Sequence, residues 1–365
     1  MQWSAHHPLI VAPDRQSVLQ TFDDPHEVLR AIEQSTTPTW AGFLSYDLGR
    51  FFEVLPECAT DDLHLPLIAM SPYLSAPVDR SSNQIPPREL QKATSTFARR
   101  QYLQSVGKCI EYIAAGDVFQ VNLSQRFTAP LVRTPGAIFD YLRTHFPAAY
   151  AAYLDFGDYQ LISNSPELFL RVERLPDGRR RIVNRPIKGT RPRLVGMESE
   201  LLKSEKDKAE LAMIVDLQRN DLGRICEVGS VRVTTARAIE AHPTVYHGVA
   251  TIEGVLRRDV TLTDILRATF PCGSVTGCPK IRAMEIIEEL EPVRRGPYCG
   301  AIGWIAPDGT MELSVAIRTM IIRDNKVHIP VGGGIVADSD PQAEYDETLV
   351  KARAMFEAAG VALPD

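Results

Sequence analysis

Strand-like runs follow one another along this chain with only short turns between them, which limits how the strands can pair. In the C-terminal part they cover about residues 298–306, 311–323 and 326–331. Antiparallel neighbours can be joined by a tight turn, whereas parallel neighbours need a crossover of a dozen or more residues. Helical patterns are interspersed with the strands and do not alternate strictly with them. The sequence therefore predicts an α+β fold, and not a doubly wound βαβ fold.

Helical periodicity divides the chain into a series of elements. Helices are predicted at about 90–115, 135–145, 199–223, 280–289 and 342–359, and further strands at about 118–131, 149–183, 228–234 and 249–256. The stretch 75–88 is rich in Pro, Ser and Asn, which predicts a surface linker. We expect residues 1–88 to form a strand-rich N-terminal part of the same fold as residues 89–365.

Charge and cysteine content disfavour several classes of function. The formal net charge is −6 and no long basic tract occurs, so neither a nucleic-acid partner nor an anionic membrane partner is expected. The six cysteines include no C-x-x-C pair and no zinc-like spacing, which is typical of reduced cytosolic thiols. The N-terminus has no signal-peptide pattern, and no run of about 18 apolar residues is present. These features predict a soluble cytoplasmic protein.

Two helical segments carry acidic residues on or beside an apolar stripe. Asp207 and Glu210 lie one turn apart in the first segment, and Glu344 and Glu347 in the second. A carboxylate on a buried stripe is unfavourable unless a cation meets it. Two acid-x-x-acid pairs from separate helices could hold a hard divalent cation such as Mg²⁺ through oxygen ligands. The alternative is a pair of solvated helix faces with Glu–Lys pairs, because three lysines flank the first pair.

A hairpin pattern places a lysine near a glutamate. Strand-like runs flank Pro176-Asp-Gly178, and Asp-Gly is a strong turn signal. If Asp177 and Gly178 form a two-residue turn, Glu167 lies directly opposite Lys188 on the same face of the sheet. Such a pair could be an amine nucleophile beside a carboxyl acid or base, or a plain cross-strand ion pair.

Two glycine-rich segments could approach an anionic ligand. The run 270–280 forms a Gly/Ser/Thr loop before a helix and includes Ser274, and its free backbone N–H groups suit an anion. The run Gly332-Gly333-Gly334 follows a strand and allows close backbone approach, although a tight turn explains it equally well. His247 is a candidate site histidine, with a packed structural histidine as the alternative.

The ordered set of motifs in this chain resembles the chorismate-utilising enzymes related to anthranilate synthase component I. The resemblance extends over about residues 115–355. The matching segments are Gly116-Asp-Val-Phe-Gln-Val-Asn-Leu-Ser124, Ser163-Asn-Ser-Pro-Glu167, Arg185-Pro-Ile-Lys-Gly-Thr-Arg191, Met213-Ile-Val-Asp-Leu-Gln-Arg-Asn-Asp-Leu222, 273–285, Arg295-Gly-Pro-Tyr298, 332–338 and Glu344-Tyr-Asp-Glu347. It implies a single large domain of two packed antiparallel β-sheets with helices outside, and makes 89–365 the chorismate-binding catalytic region.

One residue separates the branches of this family. Anthranilate synthases carry P-I-A-G-T where this chain has Pro186-Ile-Lys-Gly-Thr190, and the lysine resembles that of aminodeoxychorismate synthase component I. That resemblance implies that Lys188 attacks C2 of chorismate while the C4 hydroxyl leaves with a proton from Glu167. Ammonia would then add at C4 and expel the lysine, which gives 4-amino-4-deoxychorismate, a precursor of 4-aminobenzoate and folate.

The resemblance also implies roles for the remaining groups. Glu210 and Glu347 correspond to Mg²⁺ ligands, supported through water by Asp207 and Glu344. The enolpyruvyl carboxylate would be bound by Tyr298, Arg318, Lys351 and the backbone of Gly332, Gly333 and Gly334. The ring side would contact Gly189, Thr190, Ser274 and His247, the last also expected to be catalytic. Ammonia would come from a glutamine amidotransferase partner subunit, for which this chain has no nucleophile-elbow signature.

Three cysteines depart from the usual family pattern: Cys278 replaces an alanine, and Cys272 and Cys299 are unusual close to the site. Three other functions are alternatives to the amino-transferring enzyme. Anthranilate synthase itself is disfavoured by Lys188, and isochorismate synthase is a weaker alternative. A catalytically idle subunit that only recruits an amidotransferase would have a broken site, yet Glu167, Lys188, Glu210 and Glu347 are all present.

Overall fold

A computed structural model describes residues 3–4, 7–12, 17–73 and 90–364 of the chain. The linker predicted at 75–88 lies outside the described residues. The helices are α1 His26–Gln34, α2 Arg99–Ala114, α3 Pro135–His145, α4 Met197–Lys203, α5 Glu205–Gly223, α6 Leu262–Thr269, α7 Lys280–Leu290 and α8 Pro341–Ala359. Short 3₁₀ turns cover Tyr46–Phe51 and Gly273–Val275. No helix in the described ranges combines the length and the apolar character needed to cross a membrane.

Twenty strands are described. They are β1 Leu9–Val11, β2 Leu19–Thr21, β3 Trp40–Leu44, β4 Ile68–Pro72, β5 Gln91–Lys92, β6 Thr94–Ser95, β7 Gln120–Pro130, β8 Tyr150–Asp155, β9 Tyr159–Ser165, β10 Leu168–Arg174, β11 Arg180–Arg185, β12 Ile187–Pro192, β13 Arg232–Ala241, β14 Val245–Val255, β15 Gly277–Cys278, β16 Ala301–Ile305, β17 Met311–Val315, β18 Thr319–Arg323, β19 Lys326–Ile335 and β20 Val361–Ala362.

The strands form two large sheets. One has the order β1-β8-β9-β18-β19-β7-β15, with β6 also on β7, and the other has the order β12-β14-β11-β10-β17-β16-β3-β4-β2, with β13 also on β14. Pairing within both sheets is antiparallel except between β1 and β8, and the small β5–β20 pair is also parallel. The α+β prediction with antiparallel sheets is confirmed.

The two sheets pack against each other through a shared apolar layer. Phe43 and Ile302 of the second sheet meet Leu154 and Ile321 of the first sheet in one buried cluster. The outer face of the first sheet packs on α3 and α8, and that of the second packs on α1, α5 and α6. A fourth cluster joins α2 and α7 to β7. The helices therefore lie outside the sheets, as predicted.

The predicted helix 199–223 is two helices in the structure. Ser204 adopts an extended conformation between α4 and α5, and its hydroxyl accepts a hydrogen bond from the backbone N–H of Asp207. This side-chain cap satisfies one of the free N–H groups at the start of α5. The break orients Asp207 and Glu210 on α5 independently of α4.

The predicted register of the Asp-Gly hairpin is wrong. Leu175 donates its backbone N–H to the carbonyl of Arg179, so the turn contains Pro176, Asp177 and Gly178, with Gly178 at φ 81°. A three-residue turn of this kind needs a left-handed residue at its last position, which glycine supplies. A further register shift follows between Leu168 and Arg171. Glu167 and Lys188 are therefore not cross-strand partners.

Candidate active site

The predicted site residues come from separate elements that meet beside the end of the second sheet. Lys188, Gly189 and Thr190 lie on β12, and β12 pairs with β14, which carries His247. Helix α5 packs against both strands and supplies Asp207 and Glu210. The glycines 332–334 lie on β19, which packs against α8. Glu167 lies between β9 and β10, and Ser274 lies in the turn before α7.

Lys188 pairs with a predicted metal ligand. Its Nζ lies 2.7 Å from Glu210 Oε1, and the same oxygen accepts a hydrogen bond of 2.9 Å from Gln120 Nε2. Both side chains of the ion pair are largely buried, with 11% and 18% of their surface exposed. Nearby Lys188 and Lys351 lower the pKa of Glu210 against the opposing effect of burial. Glu210 is therefore held as a carboxylate at neutral pH.

The glycines of β19 form a floor that lies close to side chains of β7, α5 and α8. A Cβ atom on Gly334 would lie 2.0 Å from Gln120 Nε2 and 3.1 Å from Glu210 Oε1. A Cβ atom on Gly333 would lie 3.3 Å from Glu344 Oε2 and 3.5 Å from Lys351 Nζ. At Gly334 glycine is required by this close approach and not by backbone conformation, because neither residue has a positive φ. The carboxylates of α5 and α8 thus face neighbouring positions of one strand.

Helix α8 places both positively and negatively charged side chains next to this floor. Lys351 Nζ donates to the carbonyl oxygen of Gly332 at 3.2 Å and lies 2.7 Å from Glu347 Oε1. Glu344 Oε1 accepts a 2.6 Å hydrogen bond from the hydroxyl of Ser339, and burial together with Glu347 raises its pKa. The predicted face of Glu344, Glu347 and Lys351 is therefore turned towards the glycine strand.

Glu167 is a buried carboxyl group with a raised pKa. Burial raises its pKa to about 7, although the nearby Ser274 side chain, the charge of Lys188 and the backbone N–H of Ile187 act in the opposite direction. Its Oε1 atom is buried and has no hydrogen-bond partner among the described residues. The charge of Lys188 thus acts on Glu167 although the two residues are not on paired strands. A carboxyl group that is partly protonated at neutral pH can act as a general acid.

His247 is held neutral by its surroundings. Its Nδ1 lies 2.9 Å from Thr190 Oγ1, and only 2% of the residue is exposed. Burial, the charge of Arg318 and the neighbouring His242 lower the pKa of His247 to about 3. The imidazole can therefore exchange hydrogen bonds with a ligand, but it carries no positive charge near neutral pH.

Arg318 brings a cation to the same place, and none of the described acidic side chains forms an ion pair with it. It lies between β17 and β18 with φ 49°, and its backbone carbonyl accepts the N–H of Asn164. Burial lowers the pKa of the guanidinium, and no acidic side chain in the described part of the chain offsets that effect. A buried cation is unfavourable unless an anion meets it. Its position beside His247 suits a carboxylate ligand.

Tyr298 is buried and lines a small cavity together with Ser124, Arg295 and Pro330. Its neighbour along the chain is Cys299, and the charge of Arg295 acts on its hydroxyl group. The conformation places Cys299 at φ 63°, a left-handed position occupied by a non-glycine residue. Such strain is retained only where the surrounding structure enforces it.

The fit of Mg²⁺ to these residues rests on Glu210, Glu344 and Glu347. Carboxylate oxygens are the donors that Mg²⁺ prefers, and the glycine floor leaves space next to two of them. Asp207 is less available, because its carboxylate lies 3.0 Å from Arg191 Nη2. In the described ranges no three His, Cys, Asp or Glu side chains come close enough to hold a metal ion by themselves. Water or a ligand would have to complete the coordination shell.

Sequence reasoning missed several residues around the site. Gln120 and Gln218 are neutral amides whose spacing carries no signal, although both lie within motifs that match the family. Arg191 directly follows a predicted site residue and pairs with Asp207.

A cavity of about 820 Å³ lies between α5 and the start of α7, lined by residues that include Leu217, Asp221 and Lys280. None of the predicted site residues lines this cavity.

Comparisons with known proteins agree on the family. The family model described as chorismate binding enzyme matches residues 68–357. Anthranilate synthase component 1 of Thermus thermophilus is 41% identical over 361 residues, which cover 88% of this chain and 77% of that protein. The protein of the same name from Pseudomonas putida is 44% identical over 274 residues, which cover 73% of this chain and 55% of its own length. The chain thus matches only about half of the Pseudomonas protein.

A solved structure shows the same architecture over nearly the whole chain. The crystal structure of anthranilate synthase component I from Streptococcus pneumoniae TIGR4 has a TM-score of 0.83 at 30% identity, and covers 95% of this chain and 91% of that chain. The prediction that Lys188 marks the branch that makes 4-amino-4-deoxychorismate is wrong by these comparisons. The relatives that overturn it are named anthranilate synthase component 1, at 41% and 44% identity.

Proposed function

Because this chain belongs to the family of chorismate-binding enzymes, we propose that it converts chorismate and ammonia to anthranilate. The names of its relatives favour this reaction over the others of the family. A glutamine amidotransferase subunit is the proposed source of ammonia, and Mg²⁺ the proposed cofactor. The proposed reaction balances as chorismate and ammonia giving anthranilate, pyruvate and water.

Two groups support this proposal. One is a carboxyl group that can donate a proton, and the other is a cation that no described acidic side chain neutralises. Glu167 has a carboxyl pKa of about 7 and an oxygen without a partner in the described residues, and Arg318 has no acidic partner there. Chorismate carries two carboxylates and a hydroxyl group that must leave. The site therefore offers what such a substrate requires before any rearrangement of the protein.

Glu167 is proposed to supply the proton for the departing hydroxyl group. The nitrogen–carbon bond forms at C2 of the ring as the carbon–oxygen bond at C4 breaks, and the hydroxyl leaves as water with the proton of Glu167. The carboxylate of Glu167 then regains a proton from the added ammonia. Loss of the enolpyruvyl group as pyruvate, together with the ring proton at C2, makes the ring aromatic.

Arg318 and Lys351 are proposed to hold one substrate carboxylate next to the glycine floor. A guanidinium pairs with a carboxylate through charge-assisted hydrogen bonds, which give both affinity and orientation. The backbone of 332–334 allows the substrate to approach closely, since no Cβ atom stands between it and α8. Thr190 and the neutral His247 would contact the ring side.

Glu210, Glu344 and Glu347 are proposed to hold Mg²⁺, which when bound would neutralise the charge of the other substrate carboxylate. In the structure the ammonium group of Lys188 forms an ion pair with the carboxylate of Glu210. This ammonium group is proposed to stabilise negative charge on the departing oxygen, next to Glu167. Asp207, bonded to Arg191, is proposed to support the position of Gly189, since a Cβ atom there would lie 2.9 Å from its Cγ.

Product analysis tests the proposal. The chain is incubated with chorismate, Mg²⁺ and excess ammonium at mildly alkaline pH, and products are separated by mass and retention time. We expect anthranilate and pyruvate in equal amounts. Formation of 4-amino-4-deoxychorismate, or a substrate adduct on Lys188 in the intact-protein mass, would overturn the proposal. A lack of product even with an amidotransferase and glutamine would instead indicate a subunit without catalytic activity.

A further inference from the structure

One carboxylate oxygen of Glu210 accepts two hydrogen bonds from side chains of this chain. Lys188 Nζ lies 2.7 Å from Glu210 Oε1, and Gln120 Nε2 donates to the same oxygen at 2.9 Å. The side chains of Lys188 and Glu210 are 11% and 18% exposed, and Gln120 is 1% exposed. A carboxylate offers about two acceptor directions on each oxygen. The acceptor capacity of Oε1 is therefore used by Lys188 and Gln120.

The same oxygen lies next to the glycine strand β19. A Cβ atom on Gly334 would lie 3.1 Å from Glu210 Oε1. Glu210 is one of the three side chains proposed above to hold Mg²⁺, which binds carboxylate oxygens directly. An ammonium group in contact with the same carboxylate repels a second cation, and this repulsion is strong in a largely buried place. Lys188 and Mg²⁺ thus have opposing claims on one carboxylate.

The other cations near the site pair with different groups. Lys351 Nζ lies 2.7 Å from Glu347 Oε1 and donates to the carbonyl oxygen of Gly332 at 3.2 Å. Arg191 Nη2 lies 3.0 Å from Asp207 Oδ2. Among the side chains that the structure describes, Lys188 is the cation that forms an ion pair with Glu210.

We propose that Lys188 competes with Mg²⁺ for Glu210 and thereby sets the affinity of the site for the metal. The inference rests on the proposed function, because it takes Glu210 as a Mg²⁺ ligand. Lys188 leaves the carboxylate when the metal binds there, and its ammonium group then becomes available to an anionic group of the substrate. Metal binding and the catalytic availability of Lys188 are coupled in this way.

Lys188→Met tests the inference, because it removes the ammonium group and keeps an unbranched side chain. Calorimetric titration of the full chain with magnesium chloride, without substrate and at mildly alkaline pH, gives the Kd for the metal. We expect this Kd to fall by about 10- to 100-fold, which corresponds to one hydrogen bond between charged groups. Lys188→Arg keeps the positive charge and should not gain affinity. An unchanged Kd in Lys188→Met, or an equal gain in Lys188→Arg, would overturn the inference.

Lys208→Met is the matched control for the change in net charge. Lys208 lies on the same helix as Glu210, but its side chain is 61% exposed and its Nζ lies 3.5 Å from Glu205 Oε2. An exposed charge is screened by water and salt, so its removal should leave the Kd close to that of the wild type. A gain in Lys208→Met as large as that in Lys188→Met would show that only net charge matters and would contradict the competition.

Urea unfolding provides a second measurement that needs no heat of binding. Without Mg²⁺, Lys188→Met should unfold at a lower urea concentration than the wild type, because the carboxylate of Glu210 loses its ion-pair partner. At one fixed concentration of Mg²⁺ the midpoint of Lys188→Met should rise more than that of the wild type, since tighter binding stabilises the folded state more. Equal metal-induced shifts would count against the competition.

These measurements are independent of the reaction that the enzyme catalyses. A gain in affinity for Lys188→Met supports the competition whatever product the wild type forms from chorismate, because no substrate is present. Failure to form anthranilate would refute the proposed function and leave this result standing. If neither the wild type nor Lys188→Met binds Mg²⁺, the metal site is wrong and the inference is overturned with it.

Discussion

The close contact between Gly334 and Gln120 predicts that Gly334→Ala loses stability at the site. The added methyl group would lie 2.0 Å from Gln120 Nε2, so the amide must leave its place and break its 2.9 Å hydrogen bond to Glu210. A hydrogen bond to a charged group contributes roughly 1.5–3 kcal/mol. We therefore expect the free energy of unfolding to fall by about 2 kcal/mol relative to a matched glycine variant, on the scale of that hydrogen bond.

Gly333→Ala is the matched variant, because it adds a methyl group one residue earlier on the same strand. Its nearest contacts are 3.3 Å and 3.5 Å, both to the ends of long side chains that can move. Both substitutions restrict the unfolded chain equally, which stabilises each by about 0.4–1 kcal/mol and cancels in the comparison. The expected difference between the two variants therefore reports the displaced amide alone.

Urea unfolding, followed by tryptophan fluorescence, gives the two free energies, and anthranilate formation gives the activities. The decisive experiment is a double-mutant cycle with Gln120→Ala, which removes the group that the methyl displaces. In that background Gly334→Ala should be no more destabilising than Gly333→Ala. Equal stability of the two single variants, or a full penalty that persists without the Gln120 side chain, would refute the reasoning.

Three further predictions follow from buried charges. Since the pKa of Glu167 is raised to about 7, its protonated form disappears as the pH rises through that value, so kcat/KM should fall above about pH 7; a profile that rises through this range contradicts the acid role. Arg318→Met should raise the chorismate KM by roughly 10- to 100-fold, which is the contribution of a charge-assisted hydrogen bond. The urea midpoint should not fall, because the lost cation has no acidic partner among the described residues. A destabilised variant with an unchanged KM would show that Arg318 has a structural role. Glu291→Gln should cost about 3–5 kcal/mol of unfolding free energy, because Glu291 Oε1 lies 2.6 Å from the buried Arg295; a loss below about 1 kcal/mol, typical of exposed pairs, contradicts this.

Local pattern was sufficient to predict the type of most elements. Consecutive strand-like runs with short turns predicted antiparallel pairing, and β16 pairs with β17 and β18 with β19 in that way. The run predicted as one strand at 311–323 is wrong in one respect, because β17 and β18 lie in different sheets. The capping box of Thr261 and Asp264 at the start of α6 is also readable in the sequence, although that helix was not predicted. These signals depend on residues a few positions apart, so they survive without knowledge of the fold.

The position of the hairpin was predictable, but its register was not. A turn at 176–178 was expected, yet whether it holds two or three residues depends on the pairing of the whole strand with its neighbours. In the structure β11 ends at Arg185, and Lys188 lies on the next strand, β12, where it pairs with Glu210. Glu167 and Lys188 nevertheless act on each other, because β12 continues past the end of the hairpin.

The sequence by itself determined the antiparallel α+β class, the family and the residue types available for chemistry, because periodicity and ordered motifs are properties of the linear chain. Only the tertiary structure decided which of those residues meet. Gln120 joins Glu210 across 90 positions, and Gln218 joins Cys272 across 54. It also decided their protonation, since the pKa of Glu167 is raised and that of His247 lowered by burial. Burial and long-range contact depend on how sheets and helices pack, and no local pattern carries that information.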